Sequence, residues 1–262
     1  MIIIKIGGGQ EINIEGIAQD LLEIKEKFII VHGANYFRDQ LAEKLNTPKK
    51  ILTSVSGYSS VFSDSSAIDL LMMAYSGYKN KRIVEVFQKK GLNAVGLSGI
   101  DGKLIQGKRN QGIRVRENDK VKIIHDFSGK PTSVNKELLE MLLEKNYIPI
   151  LTAPIIDEEG YAINSENDDI VSLIAHEMGS EKIIQLIESP GIMLNIGDVE
   201  PVKTLSLSEL EELENKNSGR MKRKILSIKK LLQSSGVQVI VSDGRIENPV
   251  KTALSGGGTL IK

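Results

Sequence analysis

MIIIKIGGGQ, residues 1–10, is the stretch on which the fold reading turns. Ile2 to Ile6 are apolar but for Lys5, and Gly7, Gly8 and Gly9 follow directly. A short, nearly all-apolar run is the signature of a strand covered on both faces. Glycines beyond the carboxyl end of such a strand let backbone N–H groups approach a phosphate, and they serve as well in a tight turn. Neither G-x-x-x-x-G-K-[ST] nor G-x-G-x-x-G is present, so the glycines alone leave both readings open. Lys5 tips the balance. A lysine inside a doubly covered strand is costly unless its charge meets a partner.

Outward from this strand the chain alternates. Helical spacing at Ile17, Leu21 and Ile24 precedes a second apolar run, Phe28–Val31, which ends at HGAN (32–35). A helix is expected at about 39–45, and two helices between Ala67 and Lys90, broken near Gly77. Leu92–Leu97 reads as a third strand. Between Gly99 and Phe127, short segments separated by DG, RNQG and ENDK imply hairpins. A helix at about 134–145, a strand at Ile148–Thr152 and a hairpin in IIDEEGYAIN follow. DDIVSLIAHEMG is a helix with acids at its positive end, capped by Asn164 or Ser165 and stopped at Gly179. KIIQLIE, a charged helix after Ser206, a helix at about 221–233, VQVIVS, a short helix after Asn248 and TLIK complete the pattern. Repeated β-α-β units predict an α/β fold: an open, mainly parallel sheet sandwiched between helices, with ligands at the carboxyl ends of the strands. A composition break near 160–180 suggests domains at 1–177 and 178–262.

Bulk properties narrow the function. The 262 residues carry 34 basic and 34 acidic side chains, which argues against a constitutive nucleic-acid binder but leaves room for a local basic patch. With no cysteine, disulfides, thiolate catalysis and Cys-based zinc sites are excluded. Three scattered histidines make a His-rich metal site a poor expectation, and none is assigned. With no charged leader and no apolar run of spanning length, a cytoplasmic protein is expected.

Four further stretches carry candidate chemistry. HGAN places Gly33 and Ala34 beyond the second strand, with His32 read as a hydrogen-bonded structural residue. GRMKRK (219–224) opens a helix with Arg220, Lys222, Arg223 and Lys224 at its positive end, which invites an anion. NSENDD (164–169) is either an ordinary helix start or a site in which Asp168 faces inward to pair with lysines such as Lys5 and Lys224. The 103–122 region is basic, either solvated or a docking face for an acidic protein.

Together, and in order along essentially the whole chain, these pieces resemble the amino-acid kinase family. The resemblance rests on K-x-G-G at Lys5–Gly8, HGAN in the place of HGGG, NAVGLSGIDG (93–102), NYIPILTAP, AIN-x-x-x-D ending at Asp168, and G-x-M-x-x-K at Gly219–Lys224. It implies an acetylglutamate kinase-like sandwich in which an N-terminal domain binds the acceptor and dimerises, while a C-terminal domain binds ATP. The implied reaction moves the γ-phosphoryl of ATP, with Mg2+, to the side-chain carboxylate of an amino-blocked acidic amino acid. In one branch, of lysine and arginine biosynthesis, a small acidic amino-group carrier protein is the blocking group; the basic hairpin region would then have a use.

By resemblance, Lys5, Asp168 and Lys224 are catalytic. Gly7, Gly8, Gly33 and Ala34 bind phosphate; Asn164, Val61 and Gly57 contact the acceptor; Ser189, Gly191, Gly219 and Met221 contact the nucleotide. Val61, in SSVFSD (59–64), stands where the family's G-x-R-x-T-D segment has the arginine that clamps the acceptor α-carboxylate. Acetylglutamate, another small acceptor, or a non-catalytic binding role remain alternatives at this stage.

Overall fold

The computed structural model describes residues 1–55, 59–117, 120–194, 198–216, 225–226, 228–229, 231–232 and 237–262. Its centre is an eight-stranded sheet: β1 (Ile2–Ile6), β2 (Phe28–His32), β3 (Ala94–Ser98), β4 (Ile148–Thr152), β5 (Lys182–Ile187), β6 (Thr204–Leu205), β7 (Gln238–Asp243) and β8 (Thr259–Ile261). The order is β6-β8-β7-β5-β1-β2-β4-β3. Pairing is parallel from β3 to β7; β8 runs antiparallel to β7 and carries β6 with it. The chain leaves β1 for β2 on one side and returns for β5 on the other, so β1 lies at the switch point where open α/β sheets bind ligands. The sheet is continuous across residues 177 and 178, because β5 pairs with β1 through five residues of register.

Two cores follow from the alternation of side chains along each strand. Ile2, Ile4 and Ile6 pack with Ile17 and Leu21 of α1 (Ile14–Leu21) and with Ile83 and Phe87 of α4 (Asn80–Lys89). Ile3 points the other way, toward Leu139 of α5 (Lys136–Glu144) and Ile170 and Ile174 of α6 (Asn167–Glu177). With a period of two, Lys5 shares the α6 face with Ile3.

Several expectations need correcting. The helix after HGAN, α2 (Asn35–Lys44), begins four residues earlier than expected. No break occurs at Gly77: α3 (Ser65–Leu71) passes through a π-helical stretch, Met72–Lys79, into α4, and the wider turn absorbs the glycine. Gly129–Val134, of which only Val134 falls in an expected element (the helix at about 134–145), is a strand paired antiparallel with Ile105–Arg109. It is an edge strand, and the register shift opposite Pro131 accommodates a residue that a central strand would not. Of the hairpins expected between 99 and 127, one forms: Ile113–Glu117 with Lys120–Ile124. The 155–163 hairpin forms as read. The N-cap position of α6 is Glu166 rather than Asn164 or Ser165, and no side chain caps the helix there. The charged helix α7 (Leu207–Lys216) starts with a capping box, in which Ser206 and Glu209 exchange hydrogen bonds.

The last helix, α8 (Pro249–Leu254), has an unusual anchor. Asp20 of α1, fully buried, accepts the Val250 and Lys251 amides at 2.8 and 3.0 Å. Replacing Asp20 with alanine leaves two amides without acceptors at a buried helix start. Asp20→Ala is therefore expected to lose about 2–3 kcal/mol of stability in chemical denaturation, with Asp20→Asn losing less.

Candidate active site

The carboxyl ends of β1, β2 and β5 and the amino end of α6 meet at one place. Lys5, carried by β1 onto the α6 face, forms an ion pair through Nζ with Asp168 Oδ1 in the first turn of α6. The pair is about as buried on either side, with the two side chains 15% and 17% exposed. Asp168 also receives Nε2 of Gln185 at 3.3 Å; Gln185 is the register partner of Lys5 on β5 and is itself buried. A carboxylate at a helix N-terminus gains further from the helix dipole.

Beside this pair the two glycine loops pack backbone against backbone. A Cβ on Gly8 would stand 2.7 Å from the Asn35 amide nitrogen, and one on Gly33 would stand 3.1 Å from Gly8 Cα. Tyr36 N–H donates to Gly8 O at 3.0 Å across the same contact. The amides of Gly7 and Gly33 are used inside the sheet, bonded to Leu186 O (2.9 Å) and Ile6 O (3.0 Å). Gly33 thus contributes its missing side chain rather than its N–H, while the Gly8 and Gly9 amides have no acceptor among the described residues. Ala34 is fully buried and belongs to the α6-side core. The Glu188 carboxylate lies over Gly9 and accepts the Glu11 amide at 2.6 Å.

Under the loops runs a buried polar rod. His32, fully buried, accepts Asn80 Nδ2 at Nε2 (3.1 Å), which leaves the proton on Nδ1, 3.3 Å from Gly33 O. Its own carbonyl takes Thr152 Oγ1 at 3.0 Å and Asn167 Nδ2 at 3.1 Å. Burial pushes the His32 imidazole down to about 3, with the cations Lys79 and Lys81 adding to the shift and the bond to Gly33 opposing it. Tyr75, pushed up to about 12 by burial, donates to Asn35 Oδ1 at 2.5 Å and so fixes the residue that opens α2. Lys79 is buried against the Phe37 ring (4.8 Å), and desolvation pulls its pKa down against the nearby Glu188 charge.

Along α2, the helix that follows the second loop, is a cleft of ≈ 250 Å³ bordered by Asn164, Val61, Ser63 and Arg38. Asn164 is held by its own amide on Phe127 O (2.7 Å) and by Nδ2 on Ser63 Oγ (3.1 Å). At the far end of β5, Ser189 Oγ bonds Gly191 O at 2.9 Å, and Gly191 is packed so closely on Thr259 that a Cβ would come within 2.7 Å of Oγ1. Gly57, Gly219, Met221 and Lys224 lie outside the described residues. The structure thus brings together Lys5, Asp168, Gly8 and Gly33, with Asn164 and Val61 at the adjoining cleft. Sequence reading passed over Gln185, Asn167, Tyr75 and Arg38. Gln185 had a visible signal, a lone polar residue inside the apolar run KIIQLI, the same signal that singled out Lys5.

Residues 1–243 match the family model described as the amino acid kinase family. The chain belongs to this family. Among amino acid kinases with curated names, a [LysW]-aminoadipate kinase of Thermus thermophilus is 38% identical over the full length of both chains. One from Deinococcus radiodurans is 35% identical, covering 100% of this chain and 91% of the relative. A [LysW]-aminoadipate/[LysW]-glutamate kinase of Sulfolobus acidocaldarius is 30% identical over the whole of both. Solved structures share the family fold: a Streptococcus mutans protein (TM-score 0.77, 21% identity, 100% and 98% coverage) and a Giardia lamblia carbamate kinase bound to AMP-PNP (TM-score 0.69, 15% identity, 99% and 97% coverage).

The neutral His32 makes a stability prediction with a definite sign. Its folded pKa lies below the ordinary value of 6.5, so the unfolded chain binds the proton first as pH falls. Its contribution is complete above pH 6.5 and is lost progressively toward about 3. His32→Gln is expected to be less stable at neutral pH but to lose stability less steeply in acid, by about 1.4 kcal/mol per pH unit, in urea titrations between about pH 6 and 4.

Proposed function

We propose that this chain uses ATP to phosphorylate the side-chain carboxylate of an amino-blocked acidic amino acid, 2-aminoadipate or glutamate linked to a small acidic carrier protein, giving an acyl phosphate. The observation that carries this reading is the Lys5–Asp168 pair beside two interlocked glycine loops at the switch point of the sheet. It stands in a chain that aligns over its full length with a curated [LysW]-aminoadipate kinase. The acceptor carboxylate is ionised at neutral pH and needs no general base. Its oxygen attacks the γ-phosphorus, the bond to the β,γ-bridging oxygen breaks, and ADP leaves. Catalysis then reduces to positioning and charge.

In this reading Lys5 neutralises the equatorial oxygens of the transferring group, and Asp168, steadied by Gln185, keeps the ammonium aimed. The Gly8 and Gly9 amides donate to phosphate oxygens, and Asn164 orients the acceptor. Lys224, with Gly219 and Met221, acts from the 178–262 side, where we place the nucleotide together with Ser189 and Gly191; the acceptor and a homodimer contact belong to 1–177. Among the described residues no group of three or more His, Asp or Glu side chains gathers to hold a metal ion. In this reading magnesium comes with the nucleotide, where it would offset phosphate charge. No helix among the described residues is long and apolar enough to cross a membrane, and we assign the reaction to the cytoplasm.

The 113–124 hairpin favours the carrier-linked acceptor over a free one. Arg114 faces Ile123 and Arg116 faces Val121 across the two strands, and all four side chains are exposed. A basic face with exposed aliphatic residues suits a small acidic protein.

Trapping the acyl phosphate with hydroxylamine tests the reaction. Carrier-linked aminoadipate should give hydroxamate only with ATP, and Lys5→Met should lower kcat by about 10²–10³ with its folding intact. Absence of hydroxamate from carrier-linked and acetylated acceptors alike would refute the assignment. The docking face is tested separately. Arg114→Glu combined with Arg116→Glu should raise KM for the carrier-linked acceptor about tenfold or more at low salt and leave KM for ATP unchanged. Equal effects on both substrates would remove the hairpin from carrier binding.

A further inference from the structure

The cleft beside Asn164 has a feature that the proposed reaction does not use. Val61, half-buried and neutral, forms part of one wall. Arg38 of α2 enters from the opposite element, with its side chain only 15% exposed. The guanidinium is held from one side: Nε and Nη2 both donate to Asp39 Oδ1, at 3.0 and 2.7 Å. Among the described residues Nη1 has no acceptor, so the Nη1/Nη2 edge stays open. Asp39 does not cancel this charge, since its other oxygen takes Lys49 at 2.5 Å. Lys50 pairs with Asp64 at 3.1 Å, and Asp64 is already committed to capping α3 through the Ala67 amide. Three cations thus share two carboxylates around one cleft, and the surplus positive charge sits on a nearly buried, pre-aimed fork.

An arginine held along its Nε edge with the opposite edge free suits a carboxylate or a phosphate bound through two parallel N–H bonds, and the place of this cleft beside Asn164 favours the acceptor's carboxylate. We propose that Arg38 is a specificity-determining residue that binds the acceptor's non-reacting carboxylate, in a cleft whose Val61 wall supplies no charge. Asp39 and Lys49 act as positioning residues that hold the fork in place. The substrate in this inference rests on the kinase reading above. The charge arrangement does not.

Two variants and one modified ligand test it. With carrier-linked 2-aminoadipate, Arg38→Gln should raise acceptor KM about 10- to 100-fold, the loss expected for a charge-assisted hydrogen-bonded pair, with kcat and the KM for ATP within about twofold. Adding Val61→Arg to Arg38→Gln should recover much of the loss, an effect that a merely structural role for Arg38 would not produce. An acceptor whose free α-carboxylate is converted to the carboxamide should show the same KM in the wild type and in Arg38→Gln. An unchanged acceptor KM in Arg38→Gln, or equal discrimination against the carboxamide by both proteins, overturns the assignment. Were the wild type to phosphorylate no acceptor, the kinase reading would fail on its own. Calorimetric titration with N-acetyl-2-aminoadipate and its α-amide then decides on Arg38: a wild-type preference for the acid that Arg38→Gln loses supports it, and no preference in the wild type overturns it.

Discussion

One charge in the wrong place organises this molecule. Lys5 sits in an interior strand of an eight-stranded sheet, one residue from the end, on a face that apart from Gln185 beside it packs into a largely aliphatic core. Removing an ammonium from water costs several kcal/mol unless an opposite charge and hydrogen bonds replace the solvent. Asp168 supplies the charge, and it can do so because α6 begins directly above β1 with its positive end over the strand terminus. Gln185 occupies the same register on β5 and completes the carboxylate's shell. The entry angle of α6, the order β5-β1-β2 and the polar residues in two apolar strands are thus parts of one solution to one desolvation problem.

The glycine loops extend that solution into the backbone. Gly8 and Gly33 are needed by each other, since a methyl group on either would strike the other loop's main chain. The two strand ends are therefore locked at a fixed spacing, and the rod from Asn80 through His32 to Thr152 and Asn167 holds that spacing from below. Ala34, which stands at the second glycine of an HGGG-like loop, is fully buried in the core as the residue before α2.

What could be read from the sequence follows from the range of the forces involved. Strands β1, β2, β4 and β5 were legible as apolar runs because burial on both faces writes itself into consecutive residues. Lys5 and Asp168 were legible as exceptions to local rules. Gly129–Val134 was not, since an edge strand containing Pro131 takes its pairing from Ile105–Arg109, more than twenty residues away, and not from its own composition. Gly77 was misread because a π turn set by tertiary packing tolerates a glycine that an isolated helix would resist. Arg38 was invisible for a different reason: on α2 it is one charged residue among several, and only the fold shows that it faces the cleft of Val61 and Asn164.

That last case bears on how an acceptor site keeps its electrostatics while its side chains change. What a bound carboxylate requires is a positive potential and a pair of aligned donors at a given point, not a residue at a given place in the chain. The cleft is bordered by α2 and by the 59–64 segment, so either can deliver a guanidinium to it. In the reading proposed for Arg38, valine at position 61 leaves that requirement to α2, where Asp39, bonded to both Arg38 and Lys49, holds the arginine in place. A flexible lysine would lose more entropy per hydrogen bond and offer no planar fork, which is why an arginine is the side chain suited to that role.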